Sequence, residues 1–212
     1  MRAVHLQTEY LTEPIGLDIM QPRFFWQCEG GVTQTAYQII AKRGSETVWD
    51  SGKVDSSSMT HIPYQGKPLK SRDIITWSVC LWDEAGVQGE VSESHFEMGL
   101  LKASDWTSKW ITGDYKPNKK ERYPVDCFKK DFSLDVSQKK GMEKARLYAT
   151  AMGVYDVTIN GKRIEDFILA PGMTDYRKRL QYQVYDVTSL LGEQNTMELR
   201  LADGWFRGSV AA

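Results

Sequence analysis

Apolar residues in this chain recur at every second position, in short runs, and nowhere hold a helical period. In residues 74–82, Ile75, Trp77, Val79 and Leu81 fall on one side and polar residues on much of the other. A half-buried strand requires this, because successive side chains point to opposite faces of a sheet. Strand-like runs of the same kind lie at 23–28, 36–43, 46–51 and 94–99, and the turn Asp83-Glu84-Ala85-Gly86 separates two of them. Short strands spaced this closely predict a small β-sandwich with Trp26 and Trp77 in its core. The stretch from Ile111 to Asp126 is polar, charged and broken by two prolines, and reads as a surface connection at the start of a second domain. Strand patterns then resume at 128–134, 144–151, 155–159, 162–164, 180–186 and 195–201, with one helix-like hint at 187–191. Asn160-Gly161 between two of these is a strong hairpin signal, since both central residues of the favoured turn need positive φ. The expectation is an all-β chain of two β-sandwiches in tandem, residues 1–105 and 106–212.

Composition narrows the function classes. Of the residues, 41% are hydrophobic and 26% charged, enough apolar material for a packed core. The net charge of −1 gives no electrostatic case for nucleic acid or an anionic membrane as partner. No apolar run approaches the length of a membrane span, and the first residues lack the apolar core of a secretory signal, which favours a cytoplasmic over an exported protein. Cys28, Cys80 and Cys127 are too few and too scattered for a disulfide scaffold or a zinc site, and Cys28 and Cys80 read as free thiols in apolar runs. Seven tryptophans and ten tyrosines suit strands and also sugar binding, and the count does not separate the two.

Specific motifs add a resemblance. The first half carries Pro22-Arg23-Phe24-Phe25-Trp26, Gln34-Thr35-Ala36-Tyr37, Trp49-Asp50-Ser51-Gly52-Lys53-Val54, Trp82-Asp83, Phe96-Glu97-Met98-Gly99-Leu100 and Lys109-Trp110-Ile111. It resembles the fibronectin-III-like (Ig-like) domain that opens bacterial α-L-rhamnosidases. The second half carries Ala145-Arg146-Leu147-Tyr148, Ile159-Asn160-Gly161-Lys162, Ala170-Pro171-Gly172, Thr174-Asp175-Tyr176, Tyr185-Asp186-Val187-Thr188 and Asp203-Gly204-Trp205-Phe206-Arg207-Gly208. It resembles the N-terminal jelly-roll domain of the same enzymes, here incomplete. The resemblance implies an accessory region of an inverting glycoside hydrolase that removes terminal α-L-rhamnose. Its acid and base lie in an (α/α)-barrel that is absent from this chain, so no catalytic residue is assigned. Two departures stand out. Met173 occupies a position where the family usually has Trp, and the chain ends at Ser209-Val210-Ala211-Ala212, where the family continues.

Several groups are candidates for chemistry. Glycosidases need two carboxylates across the scissile bond, but Asp83-Glu84 and Glu165-Asp166 fall beside turns and read as solvated. Asp203, Trp205 and Arg207 could contact carbohydrate, the indole offering a flat face and the guanidinium a fork of donors. The competing reading, a strand-end turn with Trp205 packed inside, is favoured. The resemblance also implies sugar binding through calcium near Asp156 and Asn160, since hard cations take oxygen ligands. The hairpin turn explains Asn160 without it, and no cofactor is required. The basic loop Arg177-Lys178-Arg179 is either solvated or a face against the catalytic domain, and His5, His61 and His95 are isolated. The expected partners are that catalytic domain, rhamnose-containing glycans and, through an unpaired strand edge, a second copy. The alternative function is a free-standing carbohydrate-binding or adhesion module without catalysis.

Overall fold

In the run 74–82, Ile75, Trp77, Val79 and Leu81 are all fully buried, and the core of the first half is built on that strand. The computed structural model describes residues 1–116, 118 and 123–207. The chain divides into two units, Met1–Thr107 and Ser108–Ala212. The first holds β1 (Arg2–Thr8), β2 (Arg23–Glu29), β3 (Ala36–Arg43), β4 (Glu46–Asp50), β5 (Val54–Asp55), β6 (Ile62–Pro63), β7 (Ile74–Trp82) and β8 (Ser92–Glu97). One antiparallel sheet has the order β1-β2-β6, and the other the order β4-β3-β7-β8 with β5 also on β3.

Phe24 and Trp26 from the first sheet meet Ile39, Ala41, Trp77, Val79 and Phe96 from the second in one buried cluster. The Phe24 and Trp77 rings lie 4.4 Å apart. Trp26 donates its indole N–H to Gln34 at 2.9 Å. The buried Gln34 amide in turn donates to the carbonyls of Ser56 and Ser58, both at 3.0 Å. A polar side chain is tolerated in this core because its donors and its acceptor are all matched. The first strand was not foreseen. A register shift between Val4 and Gln7, with His5 at φ 51°, breaks the two-residue period on which strand recognition depends.

The second unit holds β9 (Asp126–Ser133), helix α1 (Val136–Gly141), β10 (Arg146–Ala149), β11 (Val154–Ile159), β12 (Lys162–Arg163), β13 (Gln183–Asp186), β14 (Gln194–Ala202) and helix α2 (Gly204–Arg207). Its sheets are β12-β11-β14-β9 and β10-β13. Helix α1 was also unforeseen. Asp135 caps it by accepting the Gln138 N–H at 2.7 Å, and the Gln138 side chain accepts the Asp135 N–H at 2.9 Å. This reciprocal box is a helix-start signal. The expected helical hint at 187–191 is a single 3-10 turn, Thr188–Leu190.

The Asn160-Gly161 hairpin is present, with φ of 52° and 77°. Burial is uneven on the inner face of the four-stranded sheet. Tyr155, Val157 and Ile159 of β11 are buried. Leu201, Leu199 and Met197, directly opposite on β14, are half-buried. On β9 the same face carries half-buried Phe128 and Phe132 with Lys130 exposed between them. The roof sheet has two strands and covers mainly the β11 side.

Candidate functional site

Strand β14 ends at Ala202, and the chain turns at once into α2. Gly204 takes φ +49°, and a Cβ there would lie 2.7 Å from Val154 Cγ2 and 3.0 Å from the Gly153 carbonyl carbon. Any larger residue is both strained and crowded at that point. The turn brings Arg207 back over Asp203, its Nη2 donating to Asp203 Oδ1 at 2.7 Å. The same nitrogen reaches Tyr115 Oη at 3.2 Å and Asp126 Oδ2 at 3.5 Å, and the Tyr115 hydroxyl donates to Asp126 Oδ2 at 3.2 Å. The guanidinium also lies 5.6 Å from the Tyr115 ring centre. Burial alone would lower the pKa of Arg207. The Tyr115 hydrogen bond and the Asp203 and Asp126 carboxylates outweigh it and hold the value above the ordinary one.

The fork of donors that suggested a sugar contact is therefore turned onto the protein, where it ties the start of β9 and Tyr115 to the end of β14. Trp205 is half-buried and lies outside the central cluster of the second unit. The exposed ring of this turn is Phe206, set edge-on to Tyr176 at 5.6 Å. Gly208 and residues 209–212 lie outside the described residues. Tyr115, Asp126, Tyr176 and Phe206 were not among the expected site residues. Tyr115 falls in a stretch read as mere connection, and its partner Arg207 is 92 positions away.

Asp156 and Asn160 serve other purposes. Asp156 Oδ1 accepts from Nε and Nη2 of Arg163, both at 3.2 Å. Asn160 Oδ1 accepts the Thr196 N–H at 2.9 Å, while its amide donates to Leu190 O and Asn195 Oδ1 at 2.8 and 3.0 Å. One oxygen faces a cation and the other anchors the hairpin to β14, so the two side chains do not fit a calcium site. Among the described residues, no group of three or more His, Cys, Asp or Glu is arranged to hold a metal ion.

The acid pairs are engaged by nearby backbone N–H groups. Asp83 Oδ1 accepts the Ala85 and Val87 N–H groups, and Glu84 Oε2 accepts those of Val32 and Thr33. Its own N–H and those two hold Glu84 below the usual carboxylate range, opposite to the raised value a general acid needs. Glu165 accepts the Asp166 N–H at 2.9 Å. Deep in the second unit, Tyr155 and Tyr185 share a hydrogen bond at 2.9 Å, and burial, then that bond, raises the Tyr155 pKa. In the first unit a shallow groove of about 340 Å³ is lined by His5, Gln7, Phe25, Trp26, Gln27 and Thr60. The other histidines are paired. His61 accepts or donates at 2.6 Å with Tyr10, and His95 lies 3.2 Å from Glu13. All three cysteines are free thiols.

Among the described residues, Glu84 and Glu165 accept backbone N–H groups, and Asp126, Asp156 and Asp203 face arginines. Comparison with known proteins identifies the kind of chain this is. Residues 3–102 match the Rha78A-like, N-terminal immunoglobulin domain, and residues 140–212 match the alpha-L-rhamnosidase N-terminal domain. An α-L-rhamnosidase of Formosa agariphila is 37% identical over 98% of this chain and 24% of its own length. The solved α-L-rhamnosidases of Dictyoglumus thermophilum and Aspergillus terreus superpose with TM-scores of 0.83 each. They are 34% and 30% identical, over 95% and 97% of this chain and 25% and 24% of theirs. The chain belongs to the α-L-rhamnosidase family, as an N-terminal region. It spans about a quarter of the length of the curated relatives it matches.

Proposed function

We propose that this chain is the accessory N-terminal region of an α-L-rhamnosidase, an inverting glycoside hydrolase acting on terminal α-L-rhamnose, and that it supports a catalytic domain on the same polypeptide. The observation that carries this reading is the end-to-end match to rhamnosidases of which the chain makes up about a quarter. The half-covered inner face of β14 and β9 supports it from the physical side. In the longer polypeptide, further strands of a jelly roll cover that face and shield its apolar side chains. Where the region stands alone, the open edge of β9 is the place for a second copy to pair.

Rhamnosyl sugar binding by the second unit is a lesser part of the proposal. The polar groups of Asn160, Asp203 and Arg207 already have protein partners, and a sugar would have to compete with them. The test is proton NMR of the protein made from the whole reading frame acting on nitrophenyl α-L-rhamnoside. The β anomer of rhamnose should appear first, as inversion requires. Absence of hydrolysis, or initial release of the α anomer, would overturn the proposal.

A further inference from the structure

The end of the second unit where β11 begins and β14 finishes carries a concentrated apolar surface. Phe167, Ile168 and Leu169 are consecutive and all exposed, Ile168 at 71%, and Met173 follows at 65%. Four large apolar side chains in seven positions do not stay in water without a reason. Contacts with neighbouring elements gather them with other groups. Ala170 accepts the Tyr155 N–H at 2.8 Å, which pins the loop to the start of β11. A Cβ on Gly153, just before β11, would lie 2.4 Å from the Ala202 carbonyl oxygen, so the end of β14 is at the same place. Phe206 of α2, half-exposed, meets Tyr176 of the next loop. That loop is closed by the Thr174 hydroxyl donating to Arg179 O at 2.6 Å and carries the exposed cations Arg177, Lys178 and Arg179, of which Arg177 is paired with Asp175 at 3.0 Å.

Leu169 is held at φ +63°, and the Gly172 N–H bonds its carbonyl at 3.0 Å. The left-handed conformation is costly for a residue with a Cβ. Here it accompanies an exposed leucine rather than a buried one, so packing within the unit does not repay the cost. Strain of this sort clusters at functional sites such as ligand clamps and switch regions.

We infer that the Phe167–Leu169 loop, Met173 and Phe206, with the Arg177-Lys178-Arg179 rim, form the surface on which the following part of the same polypeptide docks. This rests on the accessory-region reading. The occupant is chosen by two facts. The relatives are about four times as long as this chain, and α2, the last described element, sets Phe206 at this surface beside Tyr176. The complementary face is apolar at its centre and acidic at its rim, to meet Lys178 and Arg179.

The test is hydrogen exchange on the protein made from the whole reading frame and on the 212-residue chain, with Ile168→Asp in both. Amides of 165–173 and 204–207 should exchange at least about tenfold more slowly in the long protein. Ile168→Asp should abolish that protection while leaving the melting of the short chain unchanged. Lys178→Glu, which touches only the rim, should reduce the protection in part. Equal exchange in the two proteins overturns the inference, as does a reading frame that stops near residue 212. Protection in the short chain that rises with its concentration, or that needs added L-rhamnose, assigns the surface to a second copy or to sugar and also overturns it. If the long protein shows the protection but hydrolyses no rhamnoside, the docking stands and the proposed function falls.

Discussion

Replacing Trp77 by alanine removes the largest fully buried side chain of the first unit. The indole packs against Phe24 at 4.4 Å and sits on the inner face of β7 between Ile75 and Val79, both fully buried. Large-to-alanine changes of this kind cost about 3–5 kcal/mol, and loss of the aromatic pair, worth about 0.5–1.5 kcal/mol, places this one in the upper part of that range. The indole N–H is buried and has no hydrogen-bond partner among the described residues. Trp77→Phe therefore removes an unmatched donor along with some volume, and should cost about 1–2 kcal/mol, less than half the alanine value. The assay is urea unfolding of the whole chain followed by circular dichroism. With a slope of about 1–2 kcal/mol per molar for a unit of this size, Trp77→Ala should lower the midpoint of the first unit by about 2–4 M. A shift below about 0.5 M, or a phenylalanine variant as damaged as the alanine one, would refute the account of this core.

Three further outcomes are expected. Arg207→Met leaves Asp203 and Asp126 without their cation, and should destabilise the second unit by about 1–3 kcal/mol in a thermal melt; unchanged stability would show that Arg207 is free for a ligand. Glu9 is held below the usual carboxylate range chiefly by its hydrogen bond from Arg23, with burial opposing. A depressed folded value gives stability that is present above the unfolded value of about 4.3 and lost as pH falls through the folded one. The parent should therefore lose stability more steeply than Glu9→Gln between about pH 5 and pH 3, and parallel curves would refute the pairing. In the short chain, amides of β9 and β14 should exchange faster than those of β3 and β7, because the inner face is half-covered; uniformly high protection in a strictly monomeric species by light scattering would contradict that.

The sequence made the two sandwiches legible where burial and the two-residue period coincide, as in β7, β11 and β14. It hid β1, where the bulge at His5 shifts the alternation, and α1, where the only signal was the capping pair Asp135 and Gln138. The expected site was less legible. Asp203, Trp205 and Arg207 are close in sequence, but what decides the role of Arg207 is its contact with Tyr115 and Asp126, about eighty to ninety positions away in sequence and brought alongside by the pairing of β9 with β14. Asp156 and Asn160 carry oxygens of the right type for a cation, and only the fold shows those oxygens turned to Arg163 and Thr196. Residue type suggested the chemistry, and long-range pairing decided what each side chain was free to do.

The proposal that this region supports glycoside hydrolysis without performing it is tested most directly by a matched turnover assay. The 212-residue chain and the protein from the whole reading frame are compared at equal molar concentration on nitrophenyl α-L-rhamnoside. The long protein should release nitrophenol in proportion to its concentration, while the short chain stays at the level of the blank at every concentration, because hydrolysis needs a positioned acid and base. Release that rises with the concentration of the pure short chain would contradict the account.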